Sequence, residues 1–179
     1  MNCIKTFISD NIFLCAGATM YGADYVYYAN NYKNHLRYSP LNREHTAIVA
    51  IEDVILRECI LAKLTGFVNL IILLDNDLNN NACLKIGAVI YVSSKATPSK
   101  INYIITNKHC YRDLHLSARE RMVLELSYLK NTDLSERLNI SIKTCSAHRI
   151  NLQNKLHVRY TNAIAMERIR RKAECHNHY

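Results

Sequence analysis

The sequence predicts an α/β unit followed by an all-α unit. Three observations carry this: strands and helices alternate through the first 108 residues, four short amphipathic helices follow from Leu116, and the net charge of +8 is unevenly divided. Residues 113–179 carry 12 Lys and Arg against 7 Asp and Glu, a net of +5, whereas residues 1–112 carry 11 against 8, only +3. At 179 residues the chain is long enough for two cores.

In the first unit, Ile4–Ile8, Tyr25–Ala29, Ala47–Ile51, Leu70–Leu74 and Val89–Val92 read as strands. Asn11–Tyr21, Val54–Leu64, a short stretch near Asn79–Lys85, and Ser99 to about Asn107 read as helices. Nearly all-apolar strands separated by helices predict a parallel sheet covered on both faces. The segment from Tyr32 to His45, with Pro40 inside it, has the weakest periodicity.

In the second unit, Ser117 with Glu120 three residues later forms a capping-box pattern, and Met122, Val123, Leu126 and Leu129 continue it as an apolar stripe. Asn131 or Thr132 is positioned to cap a helix over Asp133–Leu138, and Asn139-Ile140 turns the chain into Ser141. Ser141 then caps a helix running to Leu156. Helical spacing places Cys145, Leu152 and Leu156 on one face, beside the stem of Arg149. Lys143, Ala147, Ile150 and Asn154 share the other face. An outward face that mixes a cation, small residues and an isoleucine suits a DNA major groove: small side chains permit approach, and apolar ones touch thymine methyls. Two helices joined by so short a turn make a helix-turn-helix. Thr161 is positioned to cap a fourth helix carrying Ala163, Ile164 and Met166, which ends in the basic run Arg168-Ile169-Arg170-Arg171-Lys172.

On these residues, Leu116 to about Ile169 resembles the LuxR-type (GerE-type) helix-turn-helix domain of bacterial transcription regulators. "LSARE" is similar to the family's opening motif, "LSERLNIS" to its scaffold helix and turn, and "IKTCSAHRINLQNKLHVR" to its recognition helix. The resemblance implies that Lys143 and Thr144 hold backbone phosphates and that Ser146, Ala147 and Ile150 face base edges. Asn151 stands at a position familiar from the family, and Asn154 and Lys155 flank the base-reading group. It also implies dimerisation through Ala163, Ile164 and Met166. Three departures stand out: the Leu126–Leu134 connection is two residues short and lacks the usual glycine, Cys145 replaces a preferred valine, and the loop at Tyr160 is one residue short. His148 reads as a packing residue.

The first unit resembles, in pattern only, the receiver domain of response regulators, a five-stranded flavodoxin-like fold. A working receiver has an acidic pair after its first strand, a phosphoacceptor aspartate after the third, a hydroxyl after the fourth and a lysine after the fifth. Here Ser9-Asp10 offers one carboxylate, Glu52-Asp53 follows the third strand, Asp75 stands near the hydroxyl position, and Ser93-Ser94-Lys95 places Lys95 one residue late. Two readings of Asp10, Glu52, Asp53, Asp75, Ser94 and Lys95 stay open: a vestigial phosphoacceptor pocket, or polar residues where strands give way to loops. A small effector at that edge is a further option. The "ED" and "SSK" segments resemble RcsA-like auxiliary regulators, which pair with a standard response regulator.

The expected organisation is a degenerate receiver-like regulatory and association domain over 1–108, a linker over 109–115, the helix-turn-helix domain over 116–172, and a tail over 173–179. The expected function is a sequence-specific DNA-binding transcription regulator acting on double-stranded DNA, as a homodimer or with a response regulator, without aspartate phosphorylation. The alternative is an interaction protein that sequesters another regulator without reading DNA. Four glycines and no GxGxxG or G-K-S/T motif give no support to an enzyme or a cofactor site. Seven scattered cysteines without a C-x-x-C pair point to a reduced, cytoplasmic protein. Cys175, His176 and His178 form no second cluster, so no metal site is expected. No apolar run reaches the roughly 20 residues of a membrane span, and no signal peptide is read at the N-terminus.

Overall fold

The parallel sheet forms as the apolar strands require. The computed structural model describes residues 4–29, 41–107, 111, 114–158 and 170. Strands β1 (Ile4–Ser9), β2 (Tyr25–Tyr28), β3 (His45–Ala50), β4 (Leu70–Asp75), β5 (Cys83–Ile86) and β6 (Val89–Ser93) make one sheet in the order β2-β1-β3-β4-β6-β5. All neighbours are parallel except β5, which runs antiparallel to β6.

Register sorts the side chains into two cores. Phe7, Ile48, Ile72 and Ile90 are paired in a row across β1, β3, β4 and β6, and Ile8, Val49, Leu73 and Tyr91 form the next row. Successive side chains point to opposite faces, so the first row joins one core with Ala18 and with Ile101, Ile104 and Ile105 of α3 (Pro98–Thr106). The second row joins Leu56, Ile60, Leu61 and Leu64 of α2 (Val54–Leu64). Side-chain caps fix these helices: Asp53 accepts from the Leu56 N–H, and Thr97 accepts from the Lys100 N–H with Pro98 at the first helical position.

Two elements differ from the sequence expectation. The first helix divides at Gly17 into α1 (Ile12–Ala16) and a 3-10 turn over Ala18–Tyr21. More consequentially, the helix expected near Asn79–Lys85 is absent. Its place is taken by β5, where Leu84 and Ile86 turn inward and Cys83 and Lys85 are half-buried. The pairing of Ile86 with Val89 leaves Gly87-Ala88 as a two-residue hairpin loop, with Gly87 at φ 57°. Such a loop needs the positive φ that glycine supplies without strain. The hairpin signal outranks a helical pattern only a few residues long.

The second unit contains α4 (Ala118–Glu125), α5 (Asn131–Leu138) and α6 (Ile142–Leu156). The fourth helix expected from Thr161, with Ala163, Ile164 and Met166, lies outside the described residues, as do Cys175, His176 and His178. Among the described residues no helix is long and apolar enough to cross a membrane.

The two units are joined by more than the chain. Leu78 forms an isolated antiparallel bridge with Val158, and the Asn79 N–H donates to the His157 carbonyl at 2.8 Å. Leu114 N–H donates to the Lys85 carbonyl at 2.9 Å, covering part of the β5 edge. Leu78 and Val158 are buried, and the core on that face of the sheet continues without a break into Val123, Leu134, Leu152 and Leu156. Leu78→Ala is therefore expected to cost about 2–5 kcal/mol of unfolding free energy, the usual range for a buried leucine. Urea unfolding followed by circular dichroism checks this; a change within about 0.5 kcal/mol, the scale of a surface substitution, would show that the junction carries no stability.

Candidate nucleic-acid interface

The helix-turn-helix is built by local capping. In α4 both halves of the capping box are present: the Glu120 N–H donates to Ser117 Oγ at 3.2 Å and the Ser117 N–H to Glu120 Oε2 at 2.7 Å. Ser141 caps α6 by accepting from the Thr144 N–H at 3.1 Å. Between α5 and α6, Asn139 adopts the left-handed conformation at φ 51°. Asparagine tolerates that conformation and ends helices this way. The expected start of α5 requires correction. The helix begins at Asn131 with Lys130 at the cap and no side-chain cap bond, so neither Asn131 nor Thr132 plays that part. The Asn131 amide instead donates to Ser146 Oγ at 3.0 Å, which joins α5 to α6.

The glycine-free connection between α4 and α5 is closed by α6. The Ser127 N–H donates to the Leu124 carbonyl and the Leu129 N–H to the Leu126 carbonyl, which tightens the turn. The Arg149 guanidinium then donates to the Ser127 and Leu129 carbonyls. Carbonyls left over by a short turn are costly to bury without a donor. The sequence placed the stem of Arg149 on the packed face but did not identify this use of its head. An arginine at a core-facing position beside a connection two residues short was the available signal.

The two faces of α6 separate as spacing requires. Cys145, Leu152 and Leu156 are fully buried. Lys143, Thr144, Ala147, Ile150, Asn151, Asn154 and Lys155 are exposed, Ile150 at 54%. Ser146 is half-buried at the margin, where it receives Asn131, and His148 is half-buried. Thr144 Oγ1 is 2.8 Å from Ser141 Oγ. Lys155 donates to both oxygens of Glu120, at 3.0 and 2.8 Å, and ties the end of α6 to the start of α4. Lys155 therefore has an internal partner, while Lys143 stands at the opposite end of the exposed face.

The residues expected to form a vestigial phosphoacceptor pocket only partly converge. A cavity of about 570 Å³ opens at the carboxyl end of the sheet, lined by Glu52, Asp75 and Ser94 among others. Asp10, Asp53 and Lys95 are not part of its wall. Asp10 Oδ2 accepts from the Glu52 and Asp53 N–H groups at 3.0 Å each, Asp53 caps α2, and Lys95 is exposed with its N–H 3.3 Å from Ser93 Oγ. Arg57, Asn76 and Asp77 also line the cavity. The sequence reading missed them, although Arg57 lies one helical turn beyond the cap Asp53, on the side that faces the strand ends.

Electrostatics are resolved most clearly at Glu120. The Lys155 ammonium, followed by the Ser117 N–H, holds its carboxyl below the usual range. A lowered folded-state value stabilises above the unfolded value, about 4.3 for Glu, and that stabilisation is lost as pH falls through the lowered value. Glu120→Gln should thus flatten the loss of stability in the window below about pH 5 while lowering stability at neutral pH. Ser117→Ala should cost about 1 kcal/mol at neutral pH. Thermal unfolding at pH 7 and pH 4 tests both; an unchanged acid slope in Glu120→Gln would remove the ion pair from the account.

Residues 114–168 match the family model described as GerE, bacterial regulatory proteins, luxR family. No curated protein matches the chain. Among solved structures, the chain is similar to the Salmonella typhimurium RcsB response regulator, with 16% identity, 94% of this chain and 99% of that one covered, and a TM-score of 0.37. It is also similar to the response regulator ChrA of a heme-sensing two-component system, with 18% identity, 95% and 98% covered, and a TM-score of 0.32. The response regulator StyR gives 15% identity, 99% and 100% covered, and a TM-score of 0.33. Residues 114–168 thus match a luxR-family helix-turn-helix domain, and their described part, 114–158, has the capped helices and left-handed Asn139 turn of that motif, carried behind a doubly wound sheet.

Proposed function

We propose that the protein is a sequence-specific DNA-binding transcription regulator of bacterial type that works as a dimer, with itself or with a response regulator, and without aspartate phosphorylation. The observation that carries this reading is the open outer face of α6: Lys143, Ala147, Ile150, Asn151 and Asn154 are exposed while the opposite face is fully buried. Lys143 and Thr144 at the helix start hold phosphates. Ala147, Ile150 and the marginal Ser146 address base edges, and Asn151, Asn154 and Lys155 flank them. Phosphate binding by Lys155 exchanges Glu120 for DNA. Such a regulator acts in the cytoplasm on double-stranded DNA.

Independence from phosphorylation is supported by how the acids are used. Asp53 caps α2, and Asp10 binds two backbone N–H groups of the β3–α2 loop. Both tasks are met by the plain carboxylate. Dimerisation rests on the economy of reading two half-sites. The residues proposed for it, Ala163, Ile164 and Met166, lie outside the described residues.

Genomic fragments selected by the purified full chain at two salt concentrations test the reading. Enrichment of one inverted repeat that survives the higher salt supports a homodimer. Diffuse, salt-labile binding points to a heterologous partner or to sequestration of another regulator. Lys143→Ala should weaken binding to all sequences alike and lower the salt slope by about one. Ile150→Ala should instead relax preference at one or two base pairs and leave the slope unchanged. If neither variant alters binding, α6 is not the reading helix.

A further inference from the structure

We infer that the open face of α6 is built to read A·T base pairs, with a thymine C5-methyl group seated against Ala147 and Ile150. This rests on the DNA-binding reading above and names the class of sequence that the face selects.

Helical spacing sets the geometry. Ala147, Ile150, Asn151 and Asn154 stand at i, i+3, i+4 and i+7, so they form one stripe, and all four are exposed. At about 1.5 Å per residue the stripe is about 10 Å long. That is room for about three base pairs at about 3.4 Å each.

The tertiary structure decides which base edges the stripe can match. Guanine is most often read by arginine or lysine on O6 and N7, and cytosine by a carboxylate that accepts from N4. The helix contains no Asp or Glu. Its arginine is withdrawn, because the Arg149 guanidinium donates to the Ser127 and Leu129 carbonyls of the α4–α5 connection. Its last lysine is engaged as well, since Lys155 donates to both Glu120 oxygens. Lys143 stands in the first turn, ahead of the stripe. The stripe itself carries neither a cation nor an anion.

What remains fits A·T pairs. The alkyl groups of Ala147 and Ile150 have one apolar counterpart in the major groove, the thymine C5-methyl, and asparagine makes a two-point contact with adenine N6 and N7. The margin of the face adds a donor. Ser146 Oγ accepts from the Asn131 amide at 3.0 Å, which leaves its own O–H for an acceptor such as thymine O4. Ile150 is a large apolar side chain held 54% in water, and a methyl group laid against it removes apolar surface from both partners. A G·C pair at the same place offers no methyl group, and its cytosine N4 donor meets alkyl surface that cannot accept.

Selection from a random-sequence duplex library by the full chain, followed by anisotropy titration of the most enriched duplex, provides the test. The enriched half-site should hold a run of about three A·T pairs. Replacing each thymine in turn by deoxyuridine removes only the methyl group, and at one or two positions it should weaken binding about fourfold, the effect of one buried methyl. In Ile150→Ala the same deoxyuridine duplexes should bind as well as the thymine duplex; Ile150 is exposed, so its loss leaves the packed face of α6 intact. A half-site dominated by G·C pairs, deoxyuridine duplexes that bind like the parent at every position, or a penalty unchanged in Ile150→Ala would overturn the thymine contact while leaving sequence-specific DNA binding in place. No enriched sequence at all would overturn the DNA-binding reading and this inference with it.

Discussion

A parallel sheet has to be covered on both faces, and among the described residues the α/β unit supplies fewer helices for the purpose than strands. One face is closed by α3 and the 3-10 turn. Among the described residues of the α/β unit the other face receives α2, and the connection from β4 to β6 contains a hairpin strand instead of a helix. Tying the helix-turn-helix domain onto that connection through Leu78 and Val158 extends the core and removes further apolar surface from water. The junction thus adds to the cover of that face, and it ties the end of α6 to the segment that follows β4.

The same economy runs through the helix-turn-helix. A connection shortened by two residues and without glycine has no conformational slack, so its carbonyls are met from outside by Arg149. A cap without a side-chain bond at α5 is offset by the Asn131–Ser146 contact across the helix pair. Lys155 and Glu120 close the third side. Arg149 and Ser146 anchor their cross-links on the packed face and the margin of α6, and Lys155 anchors the third at its exposed C-terminal end. Most of the outer face is left free, the arrangement that the proposed groove reading by α6 requires.

Much of this was legible in the residues. The strands, α2 and α3 follow from apolar runs and caps, the capping box of α4 from Ser117 and Glu120, and the two faces of α6 from periodicity. β5 was not, because four residues of half-inward alternation resemble a helix turn until Gly87-Ala88 is recognised as a hairpin loop. The cavity was only half legible: the sequence pointed to Asp75, Glu52 and Ser94 at strand ends, but Arg57 and Asp77 join them only through the packing of α2 and the β4 loop.

The sequence by itself determined the local chemistry: that the long apolar runs are strands, where α2, α4 and α6 start, which side of α6 is apolar and where positive charge accumulates. These depend on propensity, spacing and caps within a few residues of one another. Only the tertiary structure decided that Arg149 serves a turn 20 residues away, that Lys155 is held by Glu120, and that Leu78 and Asn79 carry the end of α6. Such contacts join residues distant in the chain, and they are chosen by the need to satisfy buried polar groups and cover apolar surface, conditions that exist only once the whole chain is packed.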